Sequence, residues 1–248
     1  VGDRLYVYTG HDEDKADFFW MNEWRVYSTT DMVNWTDHGS PLDLSSFSWA
    51  DDRAWAAQTI ERNGKYYWYI CAHSKLTGGM AIGVAVADSP TGPFKDAIGK
   101  PLFDNGSWDN IDPTVWLDDD GQAYLYWGNP HLYYAKLNED MVSFKGGVDP
   151  KEAVDAKREV GRIHMTVDGF GAPDVENRDS TVKYKDNYTE GPWLMKRGKN
   201  YYMLYAAGGV PEHIAYSMSK KPLGPWKYKG EIMPLEKTGS FTNHCGVT

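Results

Sequence analysis

A chain of 248 residues, 41% hydrophobic and 15% aromatic with 25 Gly and 13 Pro, has material for one large domain or two small ones. Its net charge of −9 argues against nucleic acid, which needs a basic footprint, and against a polybasic membrane surface. No apolar run approaches the ~20 residues that cross a bilayer, and two cysteines, Cys71 and Cys245, are too few for a disulfide framework and are expected as buried free thiols.

The chain opens on Val1-Gly2-Asp3-Arg4, with neither a signal peptide nor an initiator Met, so secreted, periplasmic and cytoplasmic locations all stay open. Gly2 then begins a pattern that recurs. A turn glycine precedes an aromatic strand at Gly2 (Leu5 to Tyr8), Gly64 (Tyr66 to Tyr69), Gly121 (Tyr124 to Trp127) and Gly198 (Tyr201 to Tyr205). Each is followed by a further strand, a turn and an aromatic: Trp35, Phe94, Phe144 and Trp226 in order. Two of those turns share Gly-Pro-aromatic, at Gly92-Pro93-Phe94 and Gly224-Pro225-Trp226. Asp120-Gly121 is a strong hairpin signal, with positive φ expected at both residues. A small antiparallel sheet used four times is the mark of β-propeller blades; a β-sandwich requires no such repetition.

Three segments read as irregular: a polar, aromatic-bearing loop over Asp43–Asp52, a short helix over Asp149–Glu159, and a long connection over Gly161–Asp186. The last accounts for the wide interval between Gly121 and Gly198.

In a propeller the first strand of each blade lines the central channel, so residues at its start converge. Asp112 and Glu190 stand at matched offsets ahead of Gly121 and Gly198, each close to a proline. Neighbouring buried acids are costly unless paired or used, and separating their pKa values makes a proton donor and a charged partner. The alternative is a pair of strand-capping carboxylates at the rim. The segment Ser240 to Thr248 reads as entry to a fifth first strand and brings His244 towards the same axis, with a bound cation one possible reason. Gly2 has no first strand before it. The expectation is a single propeller domain over 1–248, incomplete at both ends, with four blades and the start of a fifth.

These residues resemble glycoside hydrolase family 43, five-bladed propellers that include α-L-arabinofuranosidases, β-xylosidases and arabinanases. The matching motifs are Trp55-Ala56, Ile111-Asp112-Pro113, Thr189-Glu190-Gly191-Pro192-Trp193 and Asn243-His244. The stretches Tyr8 to Asp14 and Ser28 to Trp35 are similar to the arabinofuranosidase/xylosidase branch. The resemblance implies an inverting hydrolase in which Glu190 is the general acid and Asp112 raises and orients it. The general base would come from a first-blade strand that this chain does not contain. It further implies Trp55 as a wall of the sugar pocket, Phe170 and Asn129 as substrate contacts on loops, and His244 beside a structural calcium, with no cofactor needed for the chemistry. Position 245 departs from the family by carrying Cys. The expected activity is release of terminal α-L-arabinofuranose from hemicellulose such as arabinoxylan or its oligosaccharides. A β-xylosidase is the enzymatic rival, and a non-catalytic carbohydrate-binding propeller the other.

Overall fold

The computed structural model describes residues 1–147 and 160–234. The helix expected over Asp149–Glu159, Cys245 and His244 lie outside the described residues. The chain divides into two compact units, the first comprising Val1–Pro113 with Asp140–Ser143, the second Thr114–Glu139 with Phe144–Thr248. Each holds two antiparallel sheets, so four blade-type sheets follow one another along the chain.

In the first unit, sheet I is built on Leu5–Asp12 and Met21–Thr29, with the short strands Thr36–Asp37 and Leu42–Asp43 both paired to the second. Sheet II runs through Lys65–Ser74, Met80–Ala87 and Lys95–Asp96. Its inner edge is broken in two, because Ala50–Asp52 and Ala57–Arg62 pair in succession with the same long strand. The core between the two sheets is aromatic, with Trp24, Trp68, Phe47 and Trp49 almost fully buried. Phe47 and Trp49 come from the segment read as a polar loop; its turn Leu44–Ser46, capped by Asp43, folds both rings inward. Trp24 also ties the sheets by donating from Nε1 to the Trp55 carbonyl at 2.7 Å.

In the second unit, sheet III has the order Thr114–Leu117, Ala123–Trp127, Leu132–Leu137 and Val160–Ile163. The last strand begins the stretch expected to be a plain connection. Gly161 and its neighbours pair with Leu132 to Ala135, so the sheet gains a fourth strand there. The rest of that stretch carries two short helical turns, Val167–Phe170, capped by Thr166 and ended by left-handed Gly171, and the 3-10 turn Val175–Asn177. Sheet IV is the meander Tyr188–Arg197, Asn200–Ala207, His213–Ser219 and Lys227–Met233.

All four turn glycines have positive φ, at 62°, 76°, 82° and 60° for Gly2, Gly64, Gly121 and Gly198. The turn at Gly121 differs from expectation in one respect. Asp120 keeps a negative φ, and Gly121 N–H donates to the Asp118 carbonyl at 2.9 Å, a tight turn followed by a left-handed glycine. Asn63-Gly64 is the hairpin in which both residues are left-handed. Of the trailing aromatics, Phe94, Phe144 and Trp226 are buried, whereas Trp35 is 46% exposed.

Candidate active site

Glu190 lies near the start of the first strand of sheet IV, where the ladder is irregular on both sides of it. Gly191 follows at φ 59° and Pro192 removes a donor, so the strand bulges at the acid. The side chain is 7% exposed. Its Oε2 accepts a hydrogen bond of 2.6 Å from Asn129 Nδ2, which reaches over from the loop between the second and third strands of sheet III. Two residues earlier, the buried Tyr188 hydroxyl donates to the Gly128 carbonyl at 2.6 Å. Strand and loop are thus pinned twice, at Tyr188 to Gly128 and at Glu190 to Asn129. Gly128 has φ 125°, and a Cβ there would stand 2.0 Å from the His131 carbonyl oxygen. Only glycine allows the loop to fold back this tightly and present Asn129.

Beside this pair lies a charged group from the same unit. Arg162 Nη2 lies 3.0 Å from the buried Asp174 and also bonds Glu176, whose second oxygen is 3.4 Å from His131 Nε2. Hydrogen bonding from Arg162 holds the Glu176 carboxyl down to about 2. Asp174 accepts from Met165 N–H at 3.0 Å and also faces His164. The network fixes the segment that leads from sheet III to sheet IV.

Asp112 belongs to the first unit. It stands two residues ahead of strand Thr114–Leu117, is 3% exposed, and has a left-handed backbone with φ 57°. Such a conformation costs an L-residue roughly 1–2 kcal/mol, although Asp tolerates it better than most. The approach to it is braced by the fully buried Asn110, whose amide donates to Met80, Asn105 and Ser107 oxygens at 2.8–3.2 Å.

Trp55 is half-buried, not core. Its ring lies 5.6 Å from Trp108 and 6.4 Å from both Phe18 and Phe19, and its Nε1 donates to the Phe19 carbonyl at 2.8 Å. The Arg53 guanidinium stands 5.3–5.9 Å from the rings of Trp20, Trp55 and Trp108. The expectation for Phe170 gives way: at 1% exposure it packs against Tyr205 and Trp226 in the core of the second unit, driven inward by the helical turn that carries it. Asn129 meets Glu190 itself. Arg53, Trp20 and Trp108 were not singled out by sequence reasoning. A left-handed Arg leaves no local pattern, and Trp20 and Trp108 sit in loops outside the repeat.

Among the described residues, one cluster could ligate a metal: Asp186, His213 and Glu231, with ligand atoms all within 4.8 Å of one another. Its charges are met from within, since His213 Nε2 lies 2.9 Å from Asp186 and Lys185 pairs with Glu231.

The sequence matches the model for glycosyl hydrolases family 43 over residues 1–246. It is 30% identical to a xylosidase/arabinosidase from Humicola insolens, with 98% of this chain and 80% of that one covered. Over 96% of this chain and 49% of the other it is 29% identical to an arabinoxylan arabinofuranohydrolase from Bacillus subtilis. Among solved structures it is similar to an α-L-arabinofuranosidase from Clostridium thermocellum (TM-score 0.71, 29% identity, 99% of this chain and 74% of that one). A second, a β-xylosidase/α-arabinofuranosidase from a compost metagenome in complex with xylotriose, gives a TM-score of 0.74 at 28% identity, over 94% and 75%. A buried carboxyl on a first strand, held by an amide, within four successive blade-type sheets and a whole-chain family match, places this chain in glycoside hydrolase family 43, as a glycosidase.

Proposed function

We propose that this glycosidase is an inverting, exo-acting enzyme on a five-bladed propeller that releases terminal α-L-arabinofuranose from arabinoxylan or arabino-oligosaccharides. The observation that carries the reading is Glu190, a buried carboxyl whose Oε2 is held by Asn129 at 2.6 Å. An amide donor on Oε2 leaves the carbonyl character there and is compatible with a proton on Oε1. That proton passes to the glycosidic oxygen as the bond to the anomeric carbon breaks. Burial disfavours the charged form, which is what keeps a carboxyl protonated near neutral pH. Asp112 is assigned by resemblance to raise the acid further. Inversion then needs a second carboxylate, ~6.5–9.5 Å away, to activate water on the opposite face of the sugar.

Replacement Glu190→Ala tests the assignment: hydrolysis of arabino-oligosaccharides, whose sugar leaving group needs a proton, should vanish with the thermal transition unchanged, and retained turnover refutes it. A β-xylosidase remains the second reading, favoured by the xylosidase names among the relatives. The ratio of kcat/KM on the aryl arabinofuranoside and xyloside decides between them. A calcium ion bound through His244 stays a proposal of the same resemblance.

A further inference from the structure

The largest feature that the chemistry at Glu190 does not use is the aromatic group around Arg53. It is assembled from three separated segments of the first unit. The loop joining the first two strands of sheet I brings Phe18, Phe19 and Trp20; the break in the inner edge of sheet II brings Arg53 and Trp55; the approach to Asp112 brings Trp108. Phe18, Phe19, Trp20 and Trp108 are 40–47% exposed.

This is a built surface and not a loose one. Arg53 has φ 59°, and Asp52 clasps it twice, accepting its backbone N–H and its Nη1, each at 2.7 Å. The flanking residues keep the ladder on either side, with Asp52 opposite His73 and Trp55 N–H donating to the Cys71 carbonyl at 3.2 Å. Arg53 is therefore thrown out of the sheet by a local break, and its guanidinium is the common neighbour of three indoles. A cation over a ring face is attracted by the ring's quadrupole. Such contacts fix ring orientation without covering the rings. Trp55 and Trp108 meet edge to face at 81°, and Trp20 Nε1 is turned to Asp17 at 3.2 Å.

Flat rings held rigid and half in water suit a partner that is itself flat, apolar on its faces and polar at its rim. A sugar ring has that form. The charge of the surroundings narrows the class. The loop that carries the three aromatics also carries Glu13, Asp14 and Asp17 against Lys15, and Arg53 is neutralised by Asp52. A polyanion is disfavoured there.

We propose that Trp20 and Trp108, spaced by Arg53 and backed by Phe18 and Phe19, form a stacking platform for the neutral sugar rings of a polysaccharide main chain. As a means of holding the polymer that is trimmed, it rests on the glycosidase reading; as a binding surface it stands on the ring geometry alone.

Affinity electrophoresis in gels containing soluble arabinoxylan tests it, using Glu190→Gln so that the polymer stays intact. Polygalacturonate serves as the polyanion control. The expected result is retardation by arabinoxylan only, weakened at least tenfold by W20A/W108A, restored in large part by W20Y/W108Y, and unchanged by W35A at an exposed tryptophan elsewhere. Equal retardation of W20A/W108A, no retardation of the parent, or stronger retardation by polygalacturonate overturns the platform. So does sedimentation showing that W20A/W108A turns a dimer into a monomer, which makes the patch a contact between copies of the chain. The glycosidase reading is judged apart, with Glu190 intact on aryl glycosides: inactivity there with retained retardation rejects that reading and leaves the platform standing.

Discussion

Two places where a first strand begins show how differently this chain treats its polar groups. At Glu190 the carboxyl is buried, bonded to the Asn129 amide, and braced by the Tyr188 hydroxyl and by a glycine that admits no side chain. At Arg53 the charge is pushed outward by a left-handed backbone and surrounded by rings that remain half in water. The first arrangement is what the proposed proton donor requires, because proton affinity depends on local solvation. The second offers area and shape, which depend on exposure. Each stands at a break in its own strand ladder, while the regular pairing in the rest of each sheet supplies rigidity.

The contrast can be broken from the buried side first. Glu190→Gln should lower kcat by about 10³-fold or more, in keeping with loss of a general acid, and steady-state assay on an arabino-oligosaccharide, whose leaving group needs a proton, checks it. Gly128→Ala should come next, costing stability by more than about 2 kcal/mol in urea titration, because a Cβ meets the His131 carbonyl and the backbone has positive φ. Tyr188→Phe strands the buried Gly128 carbonyl and should cost about 1–3 kcal/mol, read in the same titration. Asp112→Asn should leave kcat measurable and move the alkaline limb of the rate profile to lower pH, since loss of a negative charge lowers the pKa of the proton donor. An unmoved limb removes Asp112 from that role. The smallest effect is expected at Glu176, whose folded pKa of about 2 lies below its ordinary value of 4.5. A depressed pKa contributes stability fully above pH 4.5 and loses it as pH falls towards 2. Glu176→Gln should flatten that limb by less than about 1 kcal/mol, because the Glu176 carboxylate is half exposed and screened by water.

Much of the fold was legible because strand pairing writes itself into period and turn. Gly64, Gly121 and Gly198 must be left-handed, and the aromatic strands that follow them must bury one face. The burial of both Asp112 and Glu190 follows the same repeat, since they are acids at matched offsets ahead of Gly121 and Gly198. What escaped depends on contacts distant in sequence. Val160–Ile163 is a strand because sheet III has an open edge for it, and its four residues carry no alternation strong enough to announce that. Phe170 looked like a loop aromatic between glycines, yet Thr166 and Gly171 cap a single turn that swings it into the core. The cluster at Arg53 joins residues from three segments, and no window of sequence contains it.

The hairpin glycines carry one more consequence. Gly64, Gly121 and Gly198 each have open space where a side chain would go. From Glu190 to Gly198 the chain runs along a single strand, a reach of roughly 26 Å at the usual rise per residue. Within its sheet, the end that holds the acid and the end that turns back are thus separated by a stiff spacer. Labels, surface tethers or fused modules attached beside Gly198, with the left-handed glycine kept, would act as handles on the quiet end of that blade and leave Glu190 undisturbed.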